Sequence, residues 1–332
     1  MAIPDRFRAF VAERRGDRVE RGVRQFAAAD LSPGEVEIRV AWSSVNYKDA
    51  LATVPAGKVA RISPLIPGID LAGQVMRSRV RSIRRGDEVI VHGYELGASH
   101  HGGYAEYARV PADWVVPLPP GLSLREAMAI GTAGYTAAMS VVALEDRGLT
   151  PAAGPVLVTG ASGGVGGTAV AILADRGYEV WAATGKEEEH ARLLALGAAG
   201  FIGREECTAD SPRPLESERW AGAVDAVGGA TLPYVLRTLR RRAAVAASGN
   251  AGGADLRTTV LPFILRGVAL LGMDSAATPI EERRRTWQRL ATDLRPRALA
   301  EYATEVTLDT LEPALDAILA GEARGRWIVK VA

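Results

Sequence analysis

The 332-residue chain has few of the groups that bind metals or cross-link proteins. Cysteine occurs once, at Cys207, and histidine only at His92, His100, His101 and His190. A single cysteine excludes a disulfide within the chain and leaves too few thiolates for a cysteine-rich zinc centre. His100-His101 is the only histidine pair, and neighbours in one loop rarely ligate one ion tetrahedrally, so no metal site is expected. Neither sign of charge prevails. The net charge of +1 gives no reason to expect nucleic acid or an acidic membrane surface as a partner. No uninterrupted apolar run approaches the ~18–20 residues that cross a bilayer. The start, M-A-I-P-D-R-F-R-A-F, lacks the apolar core of a signal peptide. A cytoplasmic enzyme is the expectation.

A chain of this length exceeds what one hydrophobic core usually supports, so two domains are expected. The first third reads as short strands. Glu35–Val40 alternates polar and apolar, with further strands at Gly73–Met76, Glu88–His92 and Tyr104–Val110, separated by Pro and Gly turns. That rhythm suggests a compact β-barrel. From Ser123, which forms a capping box with Glu126, helices begin to alternate with strands. Helix Thr132–Leu144 leads to strand Val156–Thr159, helix Val165–Arg176, strand Glu179–Ala183 and helix Glu188–Leu196. Strand Gly222–Val227, helix Thr231–Leu239 and strands Ala243–Ala247 and Val268–Met273 follow. This alternation predicts a parallel, doubly wound sheet, an α/β fold. The tail, with helix Leu311–Leu319 and strand Trp327–Val331, resembles the first third and is expected to pack back on it.

The chemistry starts at V-L-V-T-G-A-S-G-G-V-G-G, residues 156–167. Gly160, Gly163 and Gly166 stand at the spacing G-x-x-G-x-x-G between a strand and an apolar helix. Glycines there permit positive φ and let a pyrophosphate approach the main chain, while the helix aims unpaired N–H groups at it. In this context the motif is a dinucleotide fingerprint. An NAD site places an acid at the tip of the next strand, about 20 residues on. Here the tip is Thr184-Gly185-Lys186. Exchanging an opposing charge for a favourable one favours NADP(H) by roughly 1–3 kcal/mol. Arg204 is a second candidate for the extra phosphate; its alternative is a surface arginine paired with Glu205 or Glu206.

Several segments together make the chain resemble a known family. They are Trp42-Ser43-Ser44-Val45-Asn46-Tyr47-Lys48-Asp49-Ala50-Leu51, Ile66–Gly73, the Thr159–Gly166 turn, Trp220–Gly228, Leu261–Arg266 and Gly325-Arg326. The resemblance is to the medium-chain dehydrogenase/reductase superfamily, in its zinc-free quinone-oxidoreductase-like branch. More narrowly it is to the YhdH/AcuI family, whose characterised members reduce acrylyl-CoA with NADPH. It implies a GroES-like β-barrel catalytic domain, residues 1–126 with 297–332 returning to it. It also implies a Rossmann domain with a doubly wound parallel sheet, residues 127–296, and a cleft between the two. The coenzyme positions carried over are Tyr47, Ser162, Gly163, Gly164, Val165, Thr184, Gly185, Lys186, Arg204, Asn250, Ile264 and Ser275. Two depart from the family pattern: Lys186 stands for an arginine, and Asn250 for a leucine. A homodimer joined through Rossmann sheet edges, with Val268–Met273 as the edge, is implied by the same resemblance.

Without a metal Lewis acid, oxidising a plain alcohol is hard, whereas adding hydride to a C=C bond polarised by a carbonyl is much easier. The charge that develops needs hydrogen-bond donors, and the α-carbon needs a proton. Tyr47 is the candidate donor; Asn46 and Asp49 orient the site, or serve only a turn and cap. Lys48 eases Tyr47 ionisation or is solvated. His100 and His101 line a site or are solvated in their loop, and Arg326 holds a phosphate or lies on the surface. The expected reaction is NADPH-dependent reduction of a short 2-enoyl-CoA, acrylyl-CoA to propionyl-CoA. The alternatives are an NADPH:quinone or enone oxidoreductase and a non-catalytic NADPH-binding module, the latter disfavoured by the intact N-Y-K-D segment.

Overall fold

The computed structural model describes residues 3–296 and 303–332. The chain opens with strands β1 (Arg6–Arg15) and β2 (Arg18–Ala27), then β3 (Val36–Ser44), helix α1 (Tyr47–Leu51), β4 (Asp70–Ser78), β5 (Glu88–His92), β6 (Tyr107–Val110) and β7 (Val115–Pro117). Helix α2 (Leu124–Asp146) leads into β8 (Val156–Thr159), α3 (Gly164–Asp175), β9 (Val180–Ala183), α4 (His190–Ala195), β10 (Gly200–Ile202) and α5 (Arg204–Thr208). Next come β11 (Gly222–Asp225), α6 (Thr231–Thr238), β12 (Ala244–Ala247), α7 (Leu261–Arg266) and β13 (Ala269–Gly272). Helix α8 (Ile280–Leu290), β14 (Ala303–Thr307), α9 (Leu311–Leu319) and β15 (Arg326–Lys330) complete it.

These elements form two compact units. Residues 3–132, 276–291 and 303–332 make the first, and 133–275 with 292–296 the second. The expected return of the chain at 297 lies outside the described residues.

In the first unit the alternation seen in the sequence is real. Val36, Ile38 and Val40 of β3 are fully buried while Arg39 between them is exposed, as a half-buried strand requires. The main sheet runs β14-β15-β3-β4-β5-β7, with β6 also paired to β3. The tail does return: β15 pairs antiparallel with β3, Ile328 opposite Ser44. Leu311 and Leu315 of α9 join Phe7, Phe10 and Tyr104 in one core. The hairpin β1–β2, closed at Gly16-Asp17 with Gly16 at φ +60°, was not anticipated. Nor was α8, whose Arg283 and Trp287 are fully buried within this unit.

The second unit holds a six-stranded parallel sheet in the order β10-β9-β8-β11-β12-β13. Its central strands are buried along their length, Val156–Thr159 without exception, which suits a sheet covered on both faces. The strand order reverses between β8 and β11, the point at which such sheets open a crevice beyond their carboxyl ends. Helix α2 is interrupted at Gly131, whose φ of 53° and ψ of −163° are not helical, so the two helices expected around Ser123 and Thr132 meet there. Helix α2 is long and apolar enough to cross a membrane by composition, but 78% of its most apolar window is buried inside the protein.

Candidate functional site

In the second unit the glycine turn sits at the carboxyl end of β8, at the switch point. Gly160 adopts φ +59°, and the Gly163 N–H closes the turn onto the Gly160 carbonyl at 2.9 Å. Helix α3 then starts at Gly164, leaving its first N–H groups pointing out of the turn. A methyl group on Gly166 would lie 2.3 Å from the Gly160 carbonyl oxygen. The third glycine is therefore a packing requirement between helix and turn. Arg192 of α4 steadies the outer side. It donates from Nη2 to the Ser162 carbonyl at 3.1 Å and from Nε to buried Glu189 at 2.7 Å. Beneath the turn, the Thr159 hydroxyl donates to Asp225 Oδ1 at 2.5 Å and the Gly228 N–H to Oδ2 at 2.9 Å. Burial pushes the Asp225 carboxyl up despite these donors.

The tip of β9 is built as a cation pocket. Thr184 is buried, and its Oγ1 accepts the Lys186 N–H at 3.1 Å. A methyl on Gly185 would stand 3.2 Å from Arg204 Nε, so the Arg204 side chain lies along Gly185. The alternative partners for Arg204 are absent: among the described residues it makes no ion pair, and Glu206 instead binds Arg219 at 2.5 Å. Glu187 and Glu188 are exposed in the turn after Lys186, as acids at a helix start should be. The group Thr184, Gly185, Lys186 and Arg204 presents cations and a hydroxyl with no carboxylate bound to Arg204. That donor set fits a phosphate on the ribose 2′ position. Asn250 lies in an exposed turn after β12, where its carbonyl accepts the Gly253 N–H at 2.9 Å. Ile264 of α7 is 67% exposed, and Ser275 follows β13, half-buried. Except for Ile264, these residues all lie beyond the carboxyl ends of the parallel strands.

In the first unit the N-Y-K-D segment forms the first turn of α1. Asn46 is its cap, with the Asn46 N–H donating to Asp49 Oδ2 at 2.8 Å. Both side chains are buried. Asn46 Nδ2 donates to Asp70 Oδ2 at 2.8 Å, and Asp49 Oδ1 accepts the Ile69 N–H at 2.7 Å. Asp70 also receives the Ser44 hydroxyl and, at 2.5 Å, the Thr132 hydroxyl. Burial, and secondarily the Asp70 charge, push the Asp49 carboxyl up to about 7. Arg326 is not a surface residue. It is 3% exposed, with Nη1 donating to Asn46 Oδ1 at 3.2 Å and Nε to the Ala129 carbonyl at 2.9 Å. Gly131 makes room for it, since a methyl there would come within 2.6 Å of Arg326 Nη2. Of the three candidate catalytic residues only Tyr47, 45% exposed at the first helical position, presents its side chain to solvent. Asn46 and Asp49 hold the turn that carries it. Lys48 is exposed.

The loop histidines are buried as well. His101 Nδ1 accepts the Ile66 N–H at 3.1 Å, its Nε2 reaches the Asp30 carbonyl, and Phe26 packs edge-on to its ring. Burial pushes it down to about 4. Sequence reasoning missed Asp70 as the centre of the polar cluster, and missed the chain Trp287–His92–Thr132 that leads into it. Among the described residues, no three His, Cys, Asp or Glu side chains gather where a metal could be held.

A Rossmann sheet in one unit and a mostly antiparallel, GroES-like sheet in the other define a medium-chain dehydrogenase/reductase. Comparisons agree. Residues 32–120 match the family described as the alcohol dehydrogenase GroES-like domain. The acrylyl-CoA reductase AcuI of Ruegeria pomeroyi is 50% identical over 98% of this chain and 99% of its own length. A crystal structure of the yhdH oxidoreductase from Salmonella enterica in complex with NADP superposes with a TM-score of 0.95, at 48% identity, covering 98% of this chain and all of that one. The yhfP protein of Bacillus subtilis, solved with NAD bound, gives 0.96 at 48% identity over the same shares. The chain belongs to the YhdH/AcuI family of medium-chain dehydrogenase/reductases.

Proposed function

We propose that the protein reduces the C=C bond of a short 2-enoyl-CoA with NADPH, acrylyl-CoA to propionyl-CoA being the best single reaction. The observation that carries the reading is the group at the β9 tip, where Arg204 lies along Gly185 between Thr184 and Lys186, next to the glycine turn whose Ala161 N–H bonds the β9 carbonyl of Ala183. The 98% overlap with a relative named acrylyl-CoA reductase supports the choice of substrate.

When bound, NADPH supplies a hydride to the β-carbon of the enoyl group. The N–H groups opening α3 hold the diphosphate, and Lys186 and Arg204 hold the 2′-phosphate. Tyr47, the exposed phenol at the start of α1, donates a hydrogen bond to the enolate oxygen that develops. The α-carbon takes its proton from solvent or through Tyr47, so one enoyl thioester, one NADPH and one proton give the acyl thioester and NADP+. Asn46, Asp49, Asp70 and Arg326 fix the backbone under Tyr47. Strand β13, half-exposed at the sheet edge, is the edge through which two copies would join in a homodimer, acting in the cytoplasm.

The test is turnover of acrylyl-CoA, with NADPH and NADH, against a simple quinone. A higher kcat/KM for acrylyl-CoA with NADPH is expected. Brisk quinone reduction with no thioester turnover would replace this reading by the quinone oxidoreductase one.

A further inference from the structure

Three arginines of this chain are consecutive, Arg240-Arg241-Arg242, and the fold brings Arg147 beside them. Arg147, Arg240, Arg241 and Arg242 line a cavity of about 220 Å³ in the second unit. The floor is apolar: Leu144, Leu149 and the alanines entering β11 and β12. The cavity lies at the amino ends of β8, β11 and β12, whereas the glycine turn lies at the carboxyl end of β8. A four-residue strand, roughly 13 Å long, separates the two.

No described carboxylate forms an ion pair with any of the four guanidinium groups. Arg240 donates to the Ala153 carbonyl at 2.6 Å and lies over Gly154, where a methyl group would come within 2.1 Å of its Nη1. Arg241 donates to the Leu265 carbonyl at 2.8 Å. Arg147 and Arg242 make no side-chain hydrogen bond or ion pair among the described residues. The last carbonyls of α2 do not occupy Arg147 either. The Leu144 and Glu145 oxygens are met by the N–H groups of Arg147, Gly148 and Leu149. Glu218 accepts the Arg241 backbone N–H at 2.8 Å, and its carboxylate stands 3.8 Å from Arg266. Arg242 also holds a left-handed backbone, φ +63°, an uncommon state for a residue with a β-carbon.

Guanidinium groups keep their charge at any working pH. Arg147, Arg241 and Arg242 are exposed and Arg240 is half-buried, so four cations without carboxylate partners face one open concavity, and an anion there would meet only positive charge. Water fills about 30 Å³ per molecule in the liquid, so the space suits a ligand larger than a bare ion and smaller than a nucleotide. We infer that this cavity is a second ligand site, taking a small organic oxyanion: a phosphate or carboxylate head among the arginines and a short apolar body on the leucine and alanine floor.

The inference does not depend on the coenzyme assignment, and its test reads the anion directly. Full-length protein is titrated calorimetrically with phenyl phosphate, benzoate, inorganic phosphate and phenol at low salt, with and without saturating NADP+. One equivalent of phenyl phosphate or benzoate should bind, at least threefold more tightly than inorganic phosphate, and NADP+ should not displace it. The tighter of the two identifies the head group. Phenol should not bind. The double variant Arg147→Ala/Arg242→Ala should lose at least tenfold in affinity, and Arg147→Lys/Arg242→Lys should recover most of it. Unaltered thermal melting will show that both variants are folded. Absence of saturable binding, competition by NADP+, or equal affinity in the alanine variant overturns the proposal.

Discussion

Trp287 donates its indole N–H to Nε2 of His92 at 2.7 Å, across 195 residues of sequence. Indole and guanidinium are donors only, and Arg283 Nη1 lies 2.8 Å from His92 Nδ1, so both ring nitrogens of His92 face donors, with Thr132 Oγ1 also 3.3 Å from Nδ1. Burial and the adjacent Arg283 hold His92 well below its ordinary range, which keeps it neutral. This bond ties α8 to β5 within the first unit. Replacing the indole by Trp287→Phe removes the shorter of the two donors that face Nε2 in a buried site, a loss of about 1 kcal/mol. Chemical denaturation should show a loss of that size, with NADPH affinity retained.

Stability should depend on pH through Asp49. Its carboxyl, raised from 3.8 to about 7 chiefly by burial, keeps a proton that the unfolded chain has already released. Its contribution is therefore complete below pH 3.8 and lost as pH rises through about 7. His101, pushed down to about 4 from 6.5, acts the other way: its contribution is complete above pH 6.5 and lost toward pH 4. Tm should decline from pH 6 to pH 8.5, and Asp49→Asn should flatten that decline while sparing the acid limb. A level wild-type profile above pH 6 contradicts the assignment.

Tyr47→Phe tests the proposed donor. The side chain is half-exposed, so folding should be unaffected, while loss of a positioned proton donor typically costs 10²–10⁴-fold. Steady-state kinetics with acrylyl-CoA should show kcat falling by about 10²-fold. Unchanged kcat would remove Tyr47 from the chemistry.

Coenzyme choice should follow the β9 tip. Lys186→Ala and Arg204→Ala each remove one cation from the phosphate pocket, a loss of about 1–2 kcal/mol for a charge-assisted contact. KM for NADPH is expected to rise about tenfold in each, with KM for NADH hardly moved. Equal effects on both coenzymes would mean that these cations do not bind the 2′-phosphate.

The glycines of the turn should separate packing from binding. Gly166→Ala drives a methyl to within 2.3 Å of the Gly160 carbonyl, so helix and turn must part. Gly163, with φ −86° and its nearest neighbour at 3.3 Å, accommodates a methyl with little adjustment. Thermal melting should drop several degrees for Gly166→Ala and hardly at all for Gly163→Ala. Coenzyme titration should show the first variant binding poorly.

Much of the second unit was legible because its strands are short apolar runs bounded by glycine and its helices carry ordinary start and stop signals. Val156–Thr159 falls where the residues alone put it, as do Glu88–His92 and Leu311–Leu319 in the first unit. Helix α8 was not legible, since E-E-R-R-R-T-W-Q-R-L reads as a solvated charged stretch. Its inward face includes an arginine, Arg283, which carbonyl groups and the Tyr94 ring satisfy only once the chain is folded. The same holds for Arg326 and His101, whose polarity suggested solvent and whose partners lie far off in sequence.

By itself the sequence determined the order of strands and helices, the glycine turn and the absence of an acid at the β9 tip, because each depends on residues within a few positions of one another. The tertiary structure alone decided which polar groups are buried: Asp70 at the centre of a cluster, Asn46 and Asp49 as supports beneath Tyr47, and Arg326 against Asn46. These pairings join residues from about 20 to 280 positions apart, and local pattern carries no record of them.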